Sequence, residues 1–246
     1  MVGDDGTIPE SVLIGVREAG YDGIEPNCYH VQHLYRIVDV CQHVGIRIHA
    51  IPTGRWMNLA AAPADYGRYT QHAFECLNEG ASIAASLDVP LILGLIRGPS
   101  SVADVEAEAF LSSVIHGLVQ RTPQLKILVE PIAAAEACWP HTIEQGDRLL
   151  KRLKQPQVKL LADSYHIARS GEAFQIEHYR DSIGHLHIRD DQKQIPTRTA
   201  PEYGSILRLW REDNRILSFE PTIELRHTVA HAIAGARWIT HELRHS

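Results

Sequence analysis

The chain has little that would tie it to a membrane, a nucleic acid or an oxidising compartment. No stretch approaches the roughly 18 apolar residues of a bilayer span. The opening MVGDDGTIPE also lacks the basic-then-apolar pattern of a secretory signal. Lys and Arg nowhere cluster and the formal net charge is -6, which argues against a nucleic-acid groove or an anionic membrane as the main partner. Four cysteines, Cys28, Cys41, Cys76 and Cys138, are scattered without a CxxC pair. A chain of this length does not need bridges, so free thiols in a reduced, cytoplasmic protein are expected. Neither GxGxxG nor a Walker A motif occurs, so the glycine-rich first turn that usually announces a doubly wound sheet is missing.

What is present is steady alternation. The 246 residues are 44% hydrophobic and 22% charged, enough apolar material for a substantial core in one domain spanning 1–246. Helical patterns at 8–20, 30–44, 64–87, 103–120, 142–153, 172–179, 202–212 and 226–243 alternate with strand-like segments. Thr7 is a candidate cap for the first helix, with Pro9 in its first turn. The strands are YDGIEP (21–26), IRIHAIP (46–52), PLILGLI (90–96), LKILVEP (125–131), VKLLAD (158–163), IGHLHI (183–188) and ILSFEP (216–221). Apolar strands separated by helices imply a parallel sheet covered by helices. A TIM (β/α)8 barrel fits the length, with a short or missing first strand, because almost nothing precedes the first helix. An open seam at that place would expose strand edges, and a homodimer covering it is expected.

Four consecutive strands end in Glu130, Asp163, His187 and Glu220. Alternation puts these on the same face as Leu128, Leu161, His185 and Ser218, while Val129, Ala162, Leu186 and Phe219 point outward to the helices. The C-terminal end of a barrel is where barrel enzymes keep their active sites. Three carboxylates crowded there would repel one another and take up protons unless a cation held them. An oxygen-rich shell with one imidazole suits one divalent metal ion, Mn2+ first, with Mg2+, Co2+ or Zn2+ as alternatives.

With these motifs in place, the sequence resembles the xylose isomerase-like barrels of the sugar phosphate isomerase/epimerase group, and within it the ketose 3-epimerases. GYDGIEP resembles the family's second strand, ILVEPIAAAE its fifth, LADSYHI its sixth, IGHLHIRD its seventh and LSFEP its eighth. The resemblance implies that Glu130, Asp163, His187 and Glu220 hold the metal, that Glu130 and Glu220 are catalytic, and that His166 and Glu136 contact substrate oxygens. The chain departs from the epimerases at Ala133-Ala134, where they carry Asn-Arg, and at Lys193, which takes the place of a substrate-binding arginine. A lysine lacks the two-pronged grip of a guanidinium, and Arg198 is a candidate to supply it.

The implied activity is isomerisation or epimerisation of a small sugar or polyol, through proton transfer beside a ketone and an enediolate, with two glutamates as acid and base. A metal-dependent lyase that dehydrates a keto-cyclitol or dehydroshikimate-like substrate is the alternative on the same barrel. The endonuclease IV branch needs further histidines and an Asp-x-His after the seventh strand. His49 alone is available, and DDQKQIPTRT supplies no Asp-x-His, so that branch is rejected. A catalytically dead barrel is disfavoured by the complete ligand set.

Overall fold

The computed structural model describes residues 8–26, 31–53, 66–97, 103–173, 175–198, 200–222 and 225–245. The expected vestigial first strand and the Thr7 cap lie outside the described residues. Helix α1 (Glu10–Glu18) starts from Pro9, which occupies the cap position without a side-chain hydrogen bond.

The remaining elements alternate as β1 (Gly23–Ile24), α2 (Val31–Val44), β2 (Arg47–Ile48), β3 (Ile51–Pro52), α3 (Tyr66–Ser86), β4 (Leu91–Leu93), α4 (Asp104–Arg121), β5 (Ile127–Val129) and α5 (Ile143–Leu153). Then come β6 (Val158–Asp163), α6 (Ser164–Ser170), β7 (Ile183–Ile188), α7 (Pro201–Asp213), β8 (Ile216–Phe219) and α8 (Thr228–His245). Strands β3 to β8 pair in parallel in sequence order, and β1 pairs in parallel with β2. No helix among the described residues is long and apolar enough to cross a membrane.

Strands β2 and β3 are two halves of the segment expected as one strand at 46–52. The amides of Arg47 and His49 donate to β1 and its flank, whereas those of Ile51 and Thr53 donate toward β4. A regular parallel strand sends successive residues to opposite neighbours. Transferring odd-numbered donors from one neighbour to the other therefore demands an irregularity, and the strand breaks at His49 and Ala50.

The curl of the sheet separates two apolar layers. Between sheet and helices lies the main core, which includes Val129, Ala162 and Leu186. Inside the curl, Ala50, Ile92, Leu128 and Leu161 form a small cluster, one residue from each of four neighbouring strand positions. That is the inward parity expected from alternation.

The first and last helices, α1 and α8, pack on each other and close the helical layer. Gly15 permits this approach, since a Cβ there would lie 2.7 Å from a Val229 methyl. Tyr21 and Phe219 meet edge-to-face with centroids 6.1 Å apart. Apart from that contact, β1 and β8 do not pair among the described residues, and both strands stay partly exposed and line one large cavity.

Candidate metal centre

Each acidic ligand position is set by its strand end. Glu130 follows β5, and its amide donates to Leu93 O at 3.2 Å. Pro131 and Pro221, directly after Glu130 and Glu220, hold those glutamates extended and end the strands because proline brings no N–H. Gly94 makes room for the Glu130 carboxylate, since a Cβ at 94 would come within 2.7 Å of Oε2. Asp163 ends β6 and caps α6, its Oδ1 accepting the Tyr165 amide at 2.8 Å. His187 lies opposite Asp163 on β7 and opposite Ser218 on β8.

One ligand atom from each of Glu130, Asp163, His187 and Glu220 lies within 4.8 Å of the others. Asp163 Oδ2, His187 Nδ1 and Glu220 Oε2 are buried and make no hydrogen bond. Buried carboxylate oxygens converging on one place are costly unless positive charge balances them. Arg189 lies 2.6 Å from the Asp163 oxygen and 2.9 Å from the Glu220 oxygen, and three carboxylate groups with an imidazole suit a divalent ion. These residues fit such an ion.

The charges agree. Burial pushes the Glu130 carboxyl up to about 8, reinforced by the charges of Glu220 and Asp163. Burial also raises Glu220, but the contact with His187 and the charge of Arg189 outweigh it and hold that carboxyl below its ordinary value. For His187, burial works downward and is overcome by Glu25 and Glu220, so the imidazole stays protonated well above its usual range.

Glu25, at the end of β1, anchors this imidazole. Its Oε2 accepts from His187 Nε2 at 2.8 Å, its Oε1 accepts from His185 Nε2 at 2.5 Å, and the Ser218 hydroxyl also donates to it. Burial raises the Glu25 carboxyl, but the two histidines more than compensate and hold it well below the carboxylate range. A carboxylate on one ring nitrogen fixes the other toward the ligand space, the usual outer support of a metal-binding histidine.

Of the expected substrate contacts, three lie together. His166 is 4% exposed; its Nδ1 accepts the Ala133 amide at 3.2 Å and its Nε2 lies 3.8 Å from Glu130 Oε1. Burial brings its pKa down to about 4, so the ring is neutral near pH 7. Glu136 accepts from Lys193 Nζ at 2.7 Å and from the Tyr165 hydroxyl, and Lys193 stands 4.7 Å over the Tyr165 ring. Arg198 does not join them. Its side chain is 71% exposed and 3.8 Å from Asp191, as a long solvated cation settles beside a surface acid. His49 faces Asp22 at 3.0 Å and takes no part in the cluster.

Sequence reasoning missed Glu25, Arg189 and Tyr165. Glu25 carried a readable signal: GIEP ends in the same Glu-Pro as LVEP and SFEP. Arg189 gave none beyond following the HLHI strand. Its Nη2 lies 2.6 Å from Asp163 Oδ2 and its Nη1 2.9 Å from Glu220 Oε2.

The family described as xylose isomerase-like TIM barrel matches residues 15–214. The chain belongs to that family. No curated protein matches it. Solved structures similar to this xylose isomerase-like barrel include D-allulose 3-epimerase from Methylomonas sp., 17% identical with TM-score 0.74, covering 96% of this chain and 93% of that one. D-psicose 3-epimerase from Clostridium cellulolyticum H10 is 13% identical with TM-score 0.72, covering 95% and 92%. The 3-keto-D-glucoside 4-epimerase of E. coli is 16% identical with TM-score 0.72, covering 94% and 95%. At these identities the likeness establishes the TIM-barrel fold.

Proposed function

We propose that this protein is a divalent-metal-dependent isomerase that moves a proton at the carbon beside a ketone in a small sugar or keto-sugar, with Glu130 and Glu220 as acid and base. The observation that carries this reading is the convergence of Glu130, Asp163, His187 and Glu220 within 4.8 Å, three of their buried ligand atoms lacking any hydrogen bond. The structural neighbours, 3-epimerases and a 4-epimerase of a 3-keto sugar, support the same chemistry.

A divalent ion held by these four residues supplies Lewis-acid stabilisation of the negative charge that develops beside the ketone. Glu130 and Glu220 stand three strands apart and reach the site from different sides, so each can face one side of a bound carbon. One takes the proton while the other returns one to the opposite side. The neutral His166, with its proton on Nε2 because Nδ1 accepts a backbone amide, offers a donor to a substrate oxygen. Glu136, Lys193 and Tyr165 satisfy one another at the rim and present mixed polar groups suited to hydroxyls.

Turnover of a ketose panel in D2O, followed by NMR, tests this. Deuterium should appear at the carbon next to the ketone, and Glu130→Gln or Glu220→Gln should each cost at least about 10²–10⁴-fold in rate. A conjugated, ultraviolet-absorbing product would instead identify a dehydratase. Near-normal rates in both variants with metal bound would refute the two-carboxylate scheme.

A further inference from the structure

Arg189 follows β7 by one residue, and its main chain is fixed there. Its amide donates to Ser164 Oγ at 2.9 Å, and that hydroxyl donates back to Arg189 O at 2.7 Å. The side chain is 10% exposed, and its guanidinium carbon lies 5.1 Å from the Tyr165 ring centroid. It contacts the carboxylates through Asp163 Oδ2 and Glu220 Oε2, the same two oxygens that stand unbonded and available to a metal.

These contacts are close but mismatched. Neither oxygen receives an aligned hydrogen bond, and Arg189 Nε is buried without one. Nη2 also lies 3.2 Å from His166 Nε2, whose partner atom Nδ1 already accepts the Ala133 amide. The ring proton is therefore on Nε2, and a donor faces a donor. A guanidinium permanently seated on carboxylates forms parallel, aligned bonds. This one is held by charge. The large cavity inside the curl runs from Lys126, Gln157 and Gly184 at one end of the strands to Glu220 and Thr222 at the other. It is lined by Arg189, His187 and Glu220 but not by Glu130 or Asp163, so the arginine has open space beside it.

We propose that Arg189 is an exchangeable internal counterion. It competes with the divalent cation for Asp163 Oδ2 and Glu220 Oε2, keeps the metal-free cluster assembled, and swings into the cavity when metal binds. The idea rests on the metal reading above and adds to it a residue that sets metal affinity. Two positive centres cannot share two carboxylate oxygens without strong repulsion, so the arginine weakens metal binding while stabilising the metal-free fold.

The test is calorimetric titration of chelator-stripped protein with MnCl2, beside thermal melts of the metal-free forms. Arg189→Met keeps length without charge and should bind Mn2+ at least about tenfold more tightly, the equivalent of about 1.4 kcal/mol, while its metal-free form melts earlier. Arg189→Lys, which keeps the charge but loses the fork, should fall between the two. If Arg189→Met fails to fold, the lysine variant decides, and affinity equal to wild type overturns the proposal. Folded Arg189→Met with equal or weaker affinity also overturns it and leaves the metal reading standing. If no folded form binds Mn2+ at all, both readings fail together.

Discussion

Glu-Pro closes three of the strand segments, at Glu25-Pro26, Glu130-Pro131 and Glu220-Pro221, and in each the proline keeps the glutamate extended at the barrel mouth. Two of these glutamates point at the ligand space, and the third holds the histidine between them. Glu25→Gln replaces an acceptor-only group with an amide whose NH2 would confront one of the two imidazole donors. We expect Mn2+ affinity to fall about 10–100-fold with the fold retained, as for other outer-sphere partners of ligating histidines; unchanged affinity would reduce Glu25 to a packing role. Gly94→Ala belongs with it. A Cβ 2.7 Å from Glu130 Oε2 must displace that carboxylate, so metal binding should weaken while circular dichroism stays unchanged. The convergence of Glu130, Asp163, His187 and Glu220 at one end of the strands follows from strand parity and was legible in the sequence. Arg189 was not, because its role comes from a side chain reaching across β6 and β8, which no local pattern encodes.

The elements show why some boundaries were readable and others were not. The inward cluster of Leu128 and Leu161 follows from a period of two. Helix α6 went unread because seven residues barely make two turns and carry no apolar periodicity. It is specified instead by its ends, with Asp163 capping the start and Gly171 at φ 75° closing it. The helix expected at 172–179 is consequently only a short 3-10 turn at Ile176–Tyr179. Its would-be first residue, Glu172, has another task. Buried at 6% exposure, it accepts the amides of Ile143 at 2.8 Å and Glu144 at 3.1 Å, capping α5 across space. Glu172→Ala leaves those first-turn donors unsatisfied beside Thr142 and should cost about 1–3 kcal/mol in denaturant unfolding. A loss within experimental error would mean that water replaces the carboxylate.

Across the whole molecule, stability, pH and metal are coupled through one cluster. Without metal, Glu130 is raised to about 8 against an ordinary value of 4.5, and His187 is raised well above 6.5. A raised group contributes stability that is complete below its unfolded pKa and is lost as pH climbs through its folded one. The metal-free protein should therefore lose stability between about pH 5 and 8 from Glu130, with His187 adding to the loss above pH 6.5. Glu25 and Glu220 have the opposite sign. Their carboxyls are lowered, so their contribution is present above about 4.5 and disappears in acid as they protonate. A metal held as proposed takes the Glu130 carboxylate and the His187 Nδ1 lone pair, so its binding must expel protons and strengthen as pH rises. At a concentration about 100 times Kd, a bound ligand adds about 2.7 kcal/mol. At fixed MnCl2 the rise in melting temperature should thus be larger at about pH 8 than at about pH 6.5, and titrations in buffers of different ionisation enthalpy should reveal net proton release. A metal-induced shift independent of pH, with no proton released, would mean that Glu130 and His187 do not ligate the ion.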